Sequence, residues 1–322
     1  MKAIRVERTG GPEVMQLVDL PVPQPKANEA VVKVAAAGVN SIDAHFRDGS
    51  YKMPLPFVPG QEGAGVVTAI GAGVKSVKVG DRIAWSGTLG SYAEYVAGSA
   101  ESLVPVPAQV SNQDAAASML QGMTAHYLSH DAYKLKSGDT ALIHAAAGGV
   151  GLLLVQMAKN LGARVIGTVS SEEKARFARE VGADEVIVFT RTDFESETKR
   201  LTDGKGVDVV YDGVGKATFA KGLNVLRLRG MLVLFGASSG PVPPVDPATL
   251  SEKGSLYMAR TTLAHFTATR DELVARSGEV FAMIATGNLK PKIAKAYSLA
   301  EAQQAHRDLE ARKMTGKLIL IP

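Results

Sequence analysis

The chain has 322 residues, of which 46% are hydrophobic and 21% charged, with a net charge of +4 and no cysteine. That length favours two domains and that balance an ordinary globular protein, while the missing cysteine excludes disulfides, a thiolate nucleophile, cysteine-ligated zinc and iron–sulfur clusters. The charge is spread as −1, +2 and +3 over residues 1–126, 127–262 and 263–322 without a basic run, which reads as solvated surface and argues against nucleic-acid binding.

Charged residues interrupt Met1–Glu7, which argues against a signal peptide. No stretch reaches the roughly 18–20 apolar residues of a membrane span, so a cytoplasmic protein without membrane contact is expected. The first 120 residues predict short strands at Glu29–Val34, Val66–Ile70, Asp81–Trp85 and Tyr92–Val96, from their β-branched and aromatic content. Proline clusters at 21–25 and 54–59 mark loops between them.

From Thr140 the pattern alternates between strand and helix. Strands are predicted at Thr140–Ala145, Arg164–Val169, Glu185–Phe189, Val207–Asp212, Met231–Gly236 and Ser255–Arg260, with an apolar helix at Gly149–Asn160. Ser170 is expected to open the next helix, with Glu173 completing a capping box and Gly182 ending it. Such alternation predicts an α/β fold, a doubly wound parallel sheet. The tail predicts a helix at Asp271–Ala285, a further helix and a last strand at Lys317–Ile321. It is expected to return to the first domain, giving segments 1–126, 127–262 and 263–322.

Strand, turn and helix meet at Ala145-Ala146-Ala147-Gly148-Gly149-Val150-Gly151, a variant of the dinucleotide fingerprint. Gly148, Gly149 and Val150 would bring backbone to the pyrophosphate at the helix N-terminus, and Gly151 would let the helix pack against the strand. An NAD site ends its second strand with an acid that holds the ribose diol. Here that strand ends Val169-Ser170-Ser171, with Lys174 one turn later. These groups suit the 2′-phosphate of NADPH.

The chain resembles the medium-chain dehydrogenase/reductase superfamily, and within it the zinc-free NADPH:quinone oxidoreductases of the zeta-crystallin type. The resemblance is carried by Ala37–Asp43, Pro59–Gly65, Leu120–Tyr127, His144–Gly151, Val210–Gly215, Phe235–Gly240 and the terminal Leu320-Ile321-Pro322. It implies a GroES-like, mainly β catalytic domain around a Rossmann domain, an active site in the cleft between them and a homodimer. Zinc-dependent relatives carry Gly-His-Glu where this chain has Gly60-Gln61-Glu62, and a ligand cysteine where it has Asn40. With amides at two ligand positions, no catalytic metal is expected.

Position by position, the resemblance puts Asn40, Ser41, Ile42, Asp43 and His45 on the nicotinamide side, with Tyr51 reaching over it. It sets Thr124 and Tyr127 along the cofactor, Gly149 and Val150 at the pyrophosphate, and Ser170, Ser171 and Lys174 at the 2′-phosphate. Gly213, Phe235, Gly236, Ala237 and Ser238 fall beside the nicotinamide ribose, and Arg260 and Arg312 at further cofactor-side positions. Asn40, Tyr51 and Thr124 are the candidates to position an acceptor oxygen, with solvent delivering the proton. Relatives often have tyrosine where this chain has Phe189, which leaves more of the coenzyme preference on Lys174.

Plainer roles exist for several of these residues. Asn40 can satisfy a turn, Tyr51 can be a surface aromatic, and Thr124, if it starts a helix, can be a cap. His126 and His130 have helical ligand spacing but no third ligand nearby, and Asp212 reads as the end of a strand more than as an acid. The expected activity is quinone reduction. Enone or 2-alkenal reduction is the nearest enzymatic alternative, and a crystallin-like or RNA-binding role with bound NADPH is the alternative from another class.

Overall fold

The computed structural model describes residues 1–312 and 314–322. The chain divides into two compact units, Met1–Met123 with Thr267–Pro322, and Thr124–Phe266.

The first unit begins with an antiparallel hairpin of β1 (Lys2–Val6) and β2 (Met15–Asp19). There follow β3 (Glu29–Val39), helix α1 (Ser41–Asp48), β4 (Glu62–Ile70), β5 (Arg82–Ser86), β6 (Tyr95–Ser99), β7 (Val104–Pro105) and helix α2 (Asn112–Tyr127). The four strands expected in this stretch are present with longer or shifted bounds. Glu29–Val34 extends to Val39, and Val66–Ile70 starts at Glu62. Tyr92 stays outside its strand because its N–H bonds Pro59 O at 3.1 Å and Ala93 bridges to Ala3. Thr124 does not open a helix. It lies in the last turn of α2 and so cannot be an N-cap.

The second unit continues with β8 (Thr140–His144), α3 (Gly149–Asn160), β9 (Arg164–Val169), α4 (Glu172–Glu180), β10 (Glu185–Val188), α5 (Phe194–Leu201), β11 (Val207–Asp212), α6 (Phe219–Asn224), β12 (Leu226–Leu234), α7 (Pro247–Glu252) and β13 (Tyr257–Arg260). Its six strands are all parallel, in the order β10-β9-β8-β11-β12-β13. This is the doubly wound order, which reverses beside the first strand and places a ligand crevice outside the carboxyl ends of the strands there. Strand β8 stops one residue earlier than expected, because Ala145 takes φ +53° to start the turn. The capping box expected from Ser170 is absent. Ser171 is the N-cap and its hydroxyl accepts the Lys174 N–H, so the third helical residue is a lysine and cannot answer the cap.

The chain then returns to the first unit through α8 (Arg270–Ala285), β14 (Ile293–Ser298), α9 (Ala302–Glu310) and β15 (Lys317–Ile321). There β14-β15-β3-β4-β5-β7 form one sheet, with β6 also paired to β3. Strand β15 runs antiparallel to β3 with Leu318 opposite Val39. That register brings Lys317 to the level of Asn40. The core of the unit, with Ile4, Val32, Ile83, Trp85, Leu103 and Leu318 among its members, holds sheet and hairpin together.

The turn from β8 into α3 leaves no room for side chains. A Cβ on Gly151 would stand 2.2 Å from Ala145 O and 2.8 Å from Ala146 Cα, both backbone atoms that cannot swing aside. Gly278 of α8 faces open space. Gly151→Ala should therefore lower stability by about 1–3 kcal/mol through overpacking, whereas Gly278→Ala should be neutral or raise it by about 0.5–1 kcal/mol through helix propensity. Thermal unfolding of the two variants beside the parent checks the contrast.

Candidate active site

In the second unit the fingerprint turn has the geometry of an anion cradle. Gly148 is the N-cap of α3 in extended conformation and has no side-chain cap. Its own N–H is taken by Ala145 O at 2.8 Å. The following N–H groups of the first turn therefore face out of the helix end, where the helix dipole favours phosphate. Gly148, Gly149 and Val150 are all partly exposed there.

At the tip of β9, Ser170, Ser171 and Lys174 lie together at the start of α4, each half-buried. Of the two acids in this first turn, Glu172 is engaged by Arg191 at 3.1 Å, while Glu173 is exposed. Thr190 donates to Ser170 O at 3.1 Å and ties the loop after β10 to the same spot. Arg191 is thus a second cation beside this pocket that the sequence reading missed; only its place just after the third strand could have signalled it. Phe189 lies alongside, 50% exposed.

Asp212 ends β11 as a structural anchor. It is fully buried and accepts the Val214 N–H at 2.7 Å, the Gly215 N–H at 3.0 Å and the Thr218 hydroxyl at 2.8 Å. The turn held in this way meets the one after β12. Phe235 N–H bonds Asp212 O, Ser238 N–H bonds Gly213 O, and a Cβ on Gly236 would meet Gly213 O at 2.6 Å. Gly213, Phe235, Gly236, Ala237 and Ser238 are therefore brought together. Tyr127 is buried, stacked on Phe266 at 4.3 Å with its hydroxyl 3.1 Å from Thr261 Oγ1, beside Arg260, which donates to Leu234 O and Thr261 O. Thr124 is 8% exposed.

His126 and His130 do not converge on a common point. Their rings stack at 4.0 Å and 3°, and His130 Nδ1 is occupied by His126 O and Ser129 Oγ. Among the described residues no group of three or more His, Cys, Asp or Glu could hold a metal ion. His144 is buried with Nδ1 on Thr168 Oγ1 at 2.8 Å, and burial pulls its pKa down to about 4, against the pull of Asp212.

In the first unit, α1 carries the other candidates. Ser41 is exposed, while Ile42 and His45 are half-buried. Tyr51, 49% exposed, packs its ring on His45 at 5.2 Å and on Phe46 at 5.9 Å, and its N–H returns to His45 O. Arg312 lies in the turn after α9. Asn40, the N-cap of α1, is 3% exposed, and its amide is already committed. Nδ2 donates to Glu62 Oε2 at 2.8 Å, and Oδ1 accepts from Lys317 Nζ at 2.6 Å and from Gln121 Nε2 at 3.4 Å. Lys317 also pairs with Glu62 Oε2 at 2.5 Å, and Glu62 Oε1 accepts the Leu120 N–H at 2.6 Å. The sequence reading considered Glu62 only as a neighbour of a lost metal ligand and Lys317 only as the start of a strand. A lysine heading the apolar run Leu318–Ile321 was the one signal available.

Asp43 turns its carboxylate inward. Oδ2 accepts the Asn40 N–H at 2.9 Å and the Tyr92 hydroxyl at 3.2 Å, while Oδ1 has no partner among the described residues. Tyr92 in turn meets His306 Nε2 at 3.1 Å, and Arg47 Nη1 meets His306 Nδ1 at 2.9 Å. Arginine only donates, so His306 Nδ1 must accept and its proton sits on Nε2, aimed at Tyr92. Arg47 closes the chain on Glu310 and Gly10 O. Burial raises Asp43 to about 7, opposed by the Asn40 N–H, Lys317 and Tyr92, and lowers His306 to about 3 with help from Arg47.

The chain is similar to known proteins over its whole length. Residues 26–108 match the alcohol dehydrogenase GroES-like domain and residues 149–276 the zinc-binding dehydrogenase family. A quinone oxidoreductase of Pseudomonas aeruginosa is 45% identical over 323 residues, spanning 100% of this chain and 99% of the relative. The chain belongs to the medium-chain dehydrogenase/reductase superfamily, in its zinc-independent quinone oxidoreductase branch. The crystal structure of Escherichia coli quinone oxidoreductase complexed with NADPH, 43% identical, superposes with a TM-score of 0.97 over 100% of both chains. A 2-haloacrylate reductase of a Burkholderia species is 39% identical over 98% of each chain. Asn40, which the resemblance sets opposite a ligand cysteine of zinc-dependent relatives, is held by the Lys317 ammonium.

The buried Asp43 carboxyl generates a pH dependence. Its folded-state pKa lies above the unfolded value, so its contribution to stability is full below about pH 4 and is lost as pH rises through about 7. His306 and His144 act oppositely, losing stability as pH falls below about 6.5. Asp43→Asn should remove only the first effect. Melting temperatures of variant and parent across pH 4–8 should diverge in favour of the variant as pH rises, and a constant offset would show that Asp43 titrates normally.

Proposed function

We propose that the chain is a zinc-independent, NADPH-dependent quinone oxidoreductase. The observation that carries the coenzyme is the tip of β9, where two serine hydroxyls, Lys174 and a helix N-terminus meet, the strand itself ends without an acid and Glu172 is paired with Arg191. The cradle before α3 fits a pyrophosphate, since the helix start at Gly148 has no side-chain cap and the N–H groups that follow face out of the helix end. Bound there, the nicotinamide supplies a hydride, and the protein supplies binding, orientation and exclusion of water.

The acceptor class follows from what the candidate residues offer. Tyr51 presents a phenol from a half-exposed position and Asn40 an amide held by neighbours. Neither is a strong acid, and no metal ligand set accompanies them among the described residues. Quinones accept hydride with little acid catalysis, so such a site suits them better than ketones or alcohols. The name of the Burkholderia relative denotes reduction of an activated carbon–carbon double bond, which favours enones and 2-alkenals as the second acceptor class. A homodimer fits the edge strand β13, which pairs on one side only and leaves Tyr257 and Met258 61% and 41% exposed.

NADPH oxidation with small quinones, enones, ketones and secondary alcohols tests this reading. Quinones should be reduced fastest, activity should survive exhaustive chelation, and NADH should serve less well. Lys174→Glu should weaken NADPH by about 1–3 kcal/mol while leaving NADH unaffected. Alcohol oxidation outpacing quinone reduction, or activity lost with a bound metal, would overturn it. For the assembly, sedimentation should give twice the chain mass, and Met258→Asp should shift it toward the monomer; a parent that sediments as a monomer at micromolar concentration would remove the dimer.

A further inference from the structure

Asn40, Glu62 and Lys317 form a closed triangle in which each side chain bonds both others. Two of the three are formally charged, and they are 2% and 0% exposed. The surrounding chain is shaped to admit them. Gly38, opposite Glu62, has no room for a side chain, since a Cβ there would stand 2.1 Å from Glu62 Oε2 and 2.7 Å from Ala116 O. The register of β15 on β3 sets Lys317 level with Asn40.

An asparagine amide presents oxygen and nitrogen of nearly equal size, so its orientation is decided by its partners. Here only one orientation is allowed. Turning the amide over would aim N–H groups at the ammonium and the carbonyl oxygen at the carboxylate, replacing two attractions by two repulsions in a dry setting. As a device for stability alone this arrangement is poor, because apolar residues of the same volume in place of a buried ion pair are often neutral or stabilising.

We infer that Lys317 is a positioning residue for the reductase reaction, its buried ammonium fixing the orientation of the Asn40 amide where zinc-dependent relatives carry a metal ligand. Glu62 holds the ammonium in place and compensates its charge. Lys317 thus acts through Asn40. The inference rests on the proposed reductase activity and on Asn40 belonging to its site.

The test compares the parent with Lys317→Met and with the double variant Glu62→Gln/Lys317→Met. The double variant removes both charges together and should fold with a melting temperature close to the parent, even if Lys317→Met alone does not. In the double variant kcat for a small quinone should fall by roughly tenfold or more with KM for NADPH unchanged, the split expected when only transition-state positioning is lost. Independently of activity, the side-chain amide resonances of Asn40, assigned by their loss in Asn40→Asp, should shift in the double variant. Their exchange with solvent should also quicken by roughly tenfold. A folded double variant with full kcat and unchanged Asn40 resonances would overturn the inference and leave the pair as a structural tie. If the parent itself reduces no quinone, the functional reading fails, and the resonances alone still decide whether Lys317 holds the amide.

Discussion

A carboxylate withdrawn completely from water must gather donors from wherever the fold can bring them, and Glu62 sets that demand for the first unit. Its three contacts come from three distant parts of the chain: Asn40 at the end of β3, Leu120 within α2, and Lys317 at the head of β15, whose ammonium it shares with Asn40. Without a compensating cation, burial of such a group would be prohibitive. The return of the C-terminal segment to this unit is therefore more than an extra strand for the sheet, because it delivers the charge that lets Glu62 stay buried.

A second chain of contacts runs through the same turn. Asp43 holds the Asn40 N–H, Tyr92 holds Asp43, and His306 and Arg47 fix the hydroxyl of Tyr92. Asn40 is thus fixed at its backbone by one network and at its amide by another. Residues that would position an acceptor gain from this rigidity, since small displacements at a reacting centre are expensive in rate. Tyr51, half-exposed with its ring against His45 and Phe46, is the freer partner.

The second unit solves a different problem with backbone. Its turns are short and close-packed, and a buried side-chain anchor, Asp212, spends its oxygens on N–H groups of the next turn and on Thr218. Preformed backbone donors suit a cofactor that carries its own reactivity, because they bind phosphate without adding acids or bases that could interfere. Among the described residues no group of three or more His, Cys, Asp or Glu could hold a metal beside these turns.

Local chemistry wrote much of this into the sequence. The parallel α/β half was legible because each strand–turn–helix unit carries its own period and punctuation, and α3 runs over the residues expected of it. The places of the fingerprint glycines at the start of α3, and of Ser171 and Lys174 at the start of α4, were legible because they depend on neighbours within a few positions. Errors fell at the ends of elements, where neighbouring residues offer competing starts and stops. The cap moved from Ser170 to Ser171, Thr124 fell in the last turn of a helix instead of at its start, and Tyr92 left its strand to bond Pro59. The family resemblance named Asn40 as a candidate, yet whether its amide was free or committed was undetermined. That depended on Glu62 and Lys317, 22 and 277 residues away. A buried ion pair leaves almost no local trace, since each member reads alone as a surface charge, and only the closing of β15 against β3 makes them partners.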